Sequence, residues 1–473
     1  MPLVVGVDSS TSACKVQVRD AETGAVVTSG RAAHSPTSPP RSEQQPSEWE
    51  HAFHAACADA DLPGKETPRA ISVAAQQHGL VVLGKDGEVL RPAKLWNDTE
   101  SAPDTAMLLG SLPGGQAAWA DACGSVPVPA FTITKLHWLH RNEPETFRRI
   151  ATVLLPHDWL TFRLTGRRTT DRGDASGTGY WSPRQGRYRN DLLELVTDDI
   201  DWDAALPEVL APDAIAGEWR GAGIPVAAGT GDNMAAALGL GLRPGDLALS
   251  LGTSGTAFTV SPDAPGDPTG TVAGFADATG RFLPLVCTMN ATKVTDTVAR
   301  LLGVDHARFD SLALEASAGA GGLVLVPHLD GERTPNRPAA TGMLTGFRND
   351  ATPSQLARAA VEGVVCNLLA GAEALGPGCA HGRVFLIGGA ARSLAYRRVV
   401  ADLTGRAVLV PNDDELVAAG AAVQAAAIHH GRDFSRIADA WELGRGETVE
   451  PDDGVDRVAI RAAYADAVAG APV

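Results

Sequence analysis

The stretch "VVGVDSSTSACKVQV" runs from Val4 to Val18. It opens on an apolar run, breaks after Asp8 into hydroxyl residues, and returns as an alternating run beginning at Cys14-Lys15. Two such runs around a polar turn read as the strands of a hairpin. "LALSLGTSGTAFTV" (Leu247–Val260) repeats the plan of strand, Gly/Ser/Thr turn and strand. Laid over the first copy, it matches Thr11 to Thr253 and Ser12 to Ser254. About half the chain separates the copies, far more than a solenoid period, so the repeat marks two homologous domains. The boundary is expected near Arg243-Pro244-Gly245, giving domains 1–243 and 244–473.

The bulk properties agree with a multidomain protein. With 473 residues, 44% of them hydrophobic, the chain can build two or three cores. A formal net charge of −16 repels nucleic acid and anionic membranes. It does not exclude an anionic substrate, because backbone N–H groups and a divalent cation can hold phosphate inside an acidic protein. None of the six cysteines forms a C-x-x-C pair, so they read as buried free thiols of a reducing compartment. Met1-Pro2 leads directly into "LVVGVD" with no basic leader, and no apolar run is long enough to span a bilayer. The expectation is a cytoplasmic protein with no membrane and no nucleic-acid partner.

Working outward from the hairpins, the pattern is α/β. "AVVTSGRAAH" follows the "ETG" turn as a third strand, and "PSEWEHAFHAACADADL" (Pro46–Leu62) reads as a helix. "AISVAAQQ" (Ala70–Gln77) is a short buried strand, and "LVVLGKDGEVL" (Leu80–Leu90) a hairpin with Asp-Gly at its turn. Thr134–Gly166 is mainly helical. "IPVAAGTG" (Ile224–Gly231) is a strand entering a glycine bend, and "NMAAALGLG" begins a helix. "RVFLIGGAARSLAYRRVVADLTG" (Arg383–Gly405) is strand, Gly-Gly turn and helix, and "NDDELVAAGAAVQAAAIHHG" (Asn412–Gly431) is a buried alanine-rich helix.

Several motifs carry chemistry, and several do not. "GLVVLGKD" (Gly79–Asp86) mimics a P-loop but ends in Asp where Ser or Thr must hold Mg²⁺. There is no G-x-S-x-G elbow, and no G-x-G-x-x-G follows the first strand. His137 and His140 have no acidic or thiol neighbour at ligand spacing. The Ser9–Ser12 turn can aim N–H groups and hydroxyls at an anion, with Lys15 reaching the same point. Asp8 beside a phosphate would require a cation between them, and Mg²⁺ takes one or two carboxylates plus phosphate oxygens. Two such turns, one per half, can grip a polyphosphate; read alone, each is a polar hairpin turn. Gly388-Gly389 permits close backbone approach to a flat ligand such as adenine. Gln77 and His78, at a strand end, can bond sugar hydroxyls or serve structure. "LWNDTES" (Leu95–Ser101) and "TDRGDASGTGYW" (Thr170–Trp181) suit a carbohydrate pocket or a surface loop. Asp232, in "GTGDN", stands at the start of a helix. There the dipole favours an ionised carboxylate, and the plain alternative is an N-cap.

Together these segments resemble the FGGY carbohydrate kinases, closest to the xylulokinase members, within the actin-like, sugar kinase and Hsp70 ATPase superfamily. "VGVDSSTSACKV" and "LALSLGTSGTAF" are similar to the family's two phosphate loops, and "VFLIGGAARS" to its adenosine loop. "QQHGLVVLGKDGEVLRPAKLWNDTES", "LLPHDWLTFRLTG", "DASGTGYW" and "PHLDGERTP" (Pro327–Pro335) extend the likeness over nearly the whole chain. The resemblance implies two ribonuclease H-like domains with a central cleft, and transfer of phosphate from Mg²⁺·ATP to a ketopentose such as D-xylulose. It implies Asp232 as catalytic base, and Asp8 with Asp232 beside Mg²⁺. Gln77, His78, Asp232 and Asn233 would meet the sugar. Thr11, Ser12, Lys15, Thr253, Gly389 and Ser393 would meet the nucleotide. It also implies a homodimer. One departure is Gln77, where the xylulokinase pattern has Met; this leaves ribulose, a polyol or a deoxy-ketose open. A non-catalytic binding regulator is the reading from another class, and intact Asp8, Lys15, Asp232 and Thr253 weigh against it.

Overall fold

Strands β1 (Leu3–Ser9) and β2 (Ala13–Asp20) form the expected antiparallel hairpin, with Asp8 opposite Lys15 and Ser9 opposite Cys14. The structure, a computed structural model, describes residues 1–62 and 67–471. β3 (Val26–Ala33) extends the hairpin antiparallel, and β4 (Ala70–Ala75) joins β1 in parallel on its other side. Beyond β4 lie β5 (Ile215–Trp219), β6 (Ile224–Ala227) and the short β7 (Thr230–Gly231). The order is β5-β6-β4-β1-β2-β3, with β7 also on β4. A meander followed by parallel strands is the expected ribonuclease H-like arrangement. β1 and β4 are buried along their whole length, as strands covered on both faces must be.

The second sheet repeats this plan. β8 (Leu247–Leu251) and β9 (Gly255–Phe258) are the second hairpin, and β10 (Phe282–Thr288) pairs with β9. β11 (Val384–Ile387) lies parallel to β8, followed by β12 (Val408–Pro411) and β13 (Gly446–Val449). A 20-residue helix, Pro353–Ala372, is the centre of this unit's apolar core.

By their contacts the residues group into two units, each drawn from more than one stretch of chain. One unit holds Met1–Gly241, Pro262–Leu283 and Glu415–Leu443; the other holds Leu242–Ser261, Pro284–Asp414 and Gly444–Val473. The chain crosses just before the expected boundary, but two later stretches return to the first unit. The reason is small-residue packing. The alanine-rich helix, observed as Leu416–His430, lies on β1, β4 and the helix Asp232–Gly239. A Cβ on Gly6 would strike the Ala418 carbonyl, and one on Gly420 would strike the Ala235 carbonyl. Backbone therefore meets backbone at both faces of this helix.

The Leu80–Leu90 hairpin forms around its Asp-Gly turn. Gly84 N donates to Glu88 O (2.9 Å), Leu90 N donates to Val82 O (3.0 Å), and Val89 bridges Leu83. On its other edge the strand Val81–Leu83 pairs with Thr152–Leu154. All six cysteines are free, five of them buried. No helix among the described residues is long and apolar enough to cross a membrane.

Gly420→Ala is expected to force the two helices apart and lower unfolding free energy by about 1–3 kcal/mol, the usual range for overpacking. Chemical denaturation of variant and wild type checks it.

Candidate active site

Register brings the candidate residues of the first unit to one edge. Asp8 of β1 pairs with Ala74 of β4, and Ala74 pairs with Thr230 of β7; Ser9, Ala75 and Gly231 form the next row. The chain leaving each of these parallel strands carries chemistry: the Ser10–Ser12 turn after β1, Gln76-Gln77-His78 after β4, and Asp232-Asn233 after β7. Carboxyl ends of parallel strands are where such folds gather ligand-binding loops.

Asp232 is the first residue of its helix, with Gly231 as the N-cap, so it is not the capping residue. Its Oδ1 accepts from Asn233 N (2.8 Å) and Asn233 Nδ2 (3.0 Å). Asn233 Nδ2 also donates to Gln77 Oε1 (2.8 Å), which ties the two loops together. Gly231 has no room for a side chain, since a Cβ would lie 2.6 Å from Gln77 Cγ. Gly229, at φ +77°, turns the chain against His157 and the Val73 carbonyl. The helix dipole was expected to favour the ionised acid. Burial dominates instead, and with the negative charges of Asp8 and Asp174 it pushes the Asp232 carboxyl up to about 7.

His78 has φ +66°, a strained conformation for a residue with a side chain. It is held from three sides. Its Nδ1 donates to Gly177 O (2.7 Å), and its ring stacks on Phe131 with centroids 5.0 Å apart. Its carbonyl accepts from Thr132 Oγ1 (3.1 Å) and Lys135 Nζ (3.3 Å). Lys135 is fully buried and also reaches the carbonyls of Pro129, Ala130 and Phe131. Burial pushes its ammonium down to about 7. Gln77 is 3% exposed, and its Nε2 has no hydrogen-bond partner.

On the first turn, Thr11 Oγ1 donates to Gln76 Oε1 (3.1 Å) and accepts from Trp96 Nε1 (2.8 Å). Ser12 is exposed, and its carbonyl accepts from His34 N (2.9 Å). Lys15 Nζ is 2.5 Å from Glu415 Oε2 and 3.5 Å from Asp8 Oδ2. Burial lifts the Asp8 carboxyl to about 6 against the opposing pull of Lys15. Asp8 Oδ1 is buried and has no hydrogen-bond partner. Trp96, Gln76, Glu415 and Lys135 were not singled out from the sequence. Trp96 lies in the quoted "LWNDTES", whereas Glu415 reaches Lys15 only through the returning alanine-rich helix.

In the second unit, the β8–β9 turn exposes Thr253, whose carbonyl accepts from Ala291 N (3.1 Å). Parallel pairing of β8 with β11 brings Gly388-Gly389 to the same edge; a Cβ on Gly388 would lie 2.7 Å from Leu251 O. Gly389 is exposed. Ser393 caps the following helix, Leu394–Thr404, and its hydroxyl also donates to Asp310. Its side chain is therefore committed within the protein.

Among the described residues, two groups of three side chains have metal-ligand spacing: His157, Asp158 and Asp174, and Glu43, Asp98 and Glu100. Lys94 is the cation of the second group, 3.2, 3.1 and 2.6 Å from those carboxylates. Neither group contains Asp8 or Asp232. His137 finds its acidic partner far away in sequence, in Asp104 (2.7 Å), which Arg141 also contacts.

Residues 3–239 match the N-terminal domain of the FGGY family of carbohydrate kinases, and residues 247–428 match its C-terminal domain. The chain is 48% identical over 465 residues to the xylulose kinase of Streptomyces coelicolor, covering 96% of this chain and 93% of that one. It is also 48% identical over 471 residues to the xylulose kinase of Streptomyces rubiginosus, covering 97% and 95%. The crystal structure of xylulose kinase from Bifidobacterium adolescentis superposes with a TM-score of 0.86 at 39% identity, covering 99% of each chain. The fold is the actin-like ATPase fold shared by these sugar kinases.

The raised Asp232 carboxyl makes a stability prediction. A group whose folded pKa exceeds its unfolded value loses stability as pH rises through the folded pKa. Asp232→Asn removes that loss. It is expected to stabilise the protein on the order of 2–4 kcal/mol at pH 8 and negligibly below pH about 4. Denaturation at the two pH values checks it.

Proposed function

The chain belongs to the FGGY family of carbohydrate kinases, and from that membership we propose that it transfers the γ-phosphoryl group of ATP to D-xylulose, giving D-xylulose 5-phosphate and ADP. The observation that carries this reading is the setting of Asp232. Its carboxyl is tuned to about 7 and tied through Asn233 to Gln77. Register places its strand end and that of Asp8 on either side of β4, both opposite Ala74. The xylulose kinases that are 48% identical supply the choice of sugar.

In this reading Asp232 accepts the proton of the C5 hydroxyl. The oxygen attacks the γ-phosphorus, the bond to the bridging β–γ oxygen breaks, and ADP leaves. Phosphoryl transfer passes through a loose transition state, so positioning and charge neutralisation dominate. Gln77, His78 and Asn233 orient the sugar. Within the first unit, Thr11, Ser12 and Lys15 bind the nucleotide's phosphates. Phosphate at Lys15 competes with Glu415 for the ammonium. Ser393 supports the nucleotide turn as a helix cap. The residues fit a divalent cation, because Asp8 presents a buried oxygen with no partner and carboxylate oxygens are hard donors. Asp8 and Asp232 would hold Mg²⁺, which would neutralise phosphate charge. ATP as the donor carries a cytoplasmic location.

A second reading, a kinase for a related ketose or polyol, draws on Gln77, whose unpartnered Nε2 offers a donor to the acceptor sugar. Gln77→Met is expected to change the ratio of kcat/KM between xylulose and ribulose. An unchanged ratio removes Gln77 from the sugar pocket.

A coupled ADP-release assay across xylulose, ribulose and polyols tests the function, with xylulose expected fastest; no turnover with any sugar rejects the reading. Asp232→Asn is expected to lower kcat by about 10²–10⁴, the usual contribution of a general base, with sugar affinity kept. Near-normal turnover removes Asp232 from that role. The base must be deprotonated, so kcat/KM should rise with pH through about 7 and level off above it.

A further inference from the structure

Beside the Asp232 bend, four titratable side chains are sealed from solvent: His157, Asp158, Asp171 and Asp174, none more than 1% exposed. One imidazole faces three carboxylates. His157 Nδ1 lies 2.7 Å from Asp174 Oδ2 and 3.2 Å from Asp158 Oδ1, and its Nε2 lies 3.9 Å from Asp171 Oδ1. Carboxylates in a dry interior need a cation, and here the imidazolium supplies it. Burial opposes its proton, but Asp158, Asp174 and Asp171 outweigh burial and hold it on. Nδ1 hydrogen-bonds Asp174 Oδ2, whereas Nε2, Asp158 Oδ1 and Asp174 Oδ1 make no hydrogen bond.

This cluster is connected to both candidate sugar-site loops. Asp171 accepts from Thr230 Oγ1 (2.8 Å), two residues before Asp232. The same carboxylate accepts from Gly173 N (2.8 Å) and Asp174 N (2.9 Å), which shapes the Arg172–Gly177 turn. The Asp174 carbonyl accepts from Gly177 N (2.9 Å), and the Gly177 carbonyl takes the Nδ1–H of His78. The His157 ring also packs on Gly229, where a Cβ would lie 2.8 Å from its Cδ2. Gln424 Nε2 clamps the Gly229 carbonyl from the opposite side (3.2 Å).

We propose that His157 is a positioning residue for the phosphoryl-acceptor site: by hydrogen-bonding Asp174 and offsetting the charges of Asp158 and Asp171, it locks the turn that sets Asp232 and His78 in place together. It touches neither sugar nor nucleotide in this role. The proposal rests on the assignment of Asp232 and His78 to the sugar site.

The test is steady-state kinetics of the full chain, with D-xylulose and ATP varied separately. His157→Gln keeps hydrogen-bonding capacity but removes the charge. It is expected to raise the sugar KM and lower kcat, each about tenfold or more, while the ATP KM stays within about twofold. His157→Lys restores a cation and is expected to recover most of both parameters. A folded His157→Gln with wild-type sugar KM and kcat, an equal rise in both KM values, or no recovery with Lys overturns the proposal. If His157→Gln does not fold, Thr230→Val decides. It removes the hydroxyl bond to Asp171 and is expected to lower kcat about tenfold; wild-type kinetics overturn the proposal. Failure of the kinase reading itself is distinguishable, as wild-type protein inert towards every sugar. Crystal structures then decide. A displaced Arg172–Gly177 turn and His78 ring in His157→Gln support the role, and an unmoved turn rejects it.

Discussion

Crowding carboxylates into a dry space is the constraint on which the first unit depends. Asp8, Asp158, Asp171, Asp174 and Asp232 all carry raised pKa values, and burial is the leading cause in each. Coulombic repulsion at a few ångströms is weakly screened there, so every added negative charge must be matched by a cation or held back by a proton. Lys15 answers for Asp8, and His157 answers for the inner three. Asp232 has no such dedicated partner among the described contacts. This is why its proton is held more tightly than a helix start would suggest.

The close packing around this charge follows from residue size. Gly231 admits Gln77, Gly229 admits His157, Gly6 admits the alanine-rich helix, and Gly420 of that helix admits the Asp232 helix. The Asp232 helix and its neighbour meet backbone to backbone. A Cβ on Gly239 or Gly420 would strike the facing backbone, so larger residues are excluded from this contact. A rigid frame suits a reaction whose acceleration comes from placement. It also explains why the first unit reclaims Glu415–Leu443 from late in the chain.

Much of this was legible in the sequence, and the part that was not has a common cause. The two hairpins, the Gly-Gly turn and the helix after "GTGD" are local patterns, and local patterns survive without knowledge of neighbours. Gln77 and Asn233 could be placed near Asp232 by resemblance, and their hydrogen bond gives that placement a geometry. Glu415 to Lys15, Gln76 to Thr11, Lys135 to the His78 carbonyl and Asp171 to Thr230 are contacts across long stretches of chain. No periodicity in the sequence announces such contacts. The Leu80–Leu90 hairpin is likewise a local pattern, and only the partner on its outer edge, Thr152–Leu154, lies far away in sequence. At Asp232 desolvation and two nearby acids outweigh the pull of the helix terminus.

The buried amide of Gln77 has a consequence for discrimination. Its N–H group is withdrawn from water with nothing to bond, a debt of roughly 1–3 kcal/mol for a polar group left unmet. With Gln77 at the sugar as proposed, an acceptor that brings an oxygen to this spot discharges it, while an analogue lacking that oxygen leaves it standing. Pockets built this way reject the missing-hydroxyl competitor far more sharply than they could reject a sugar differing only in bulk.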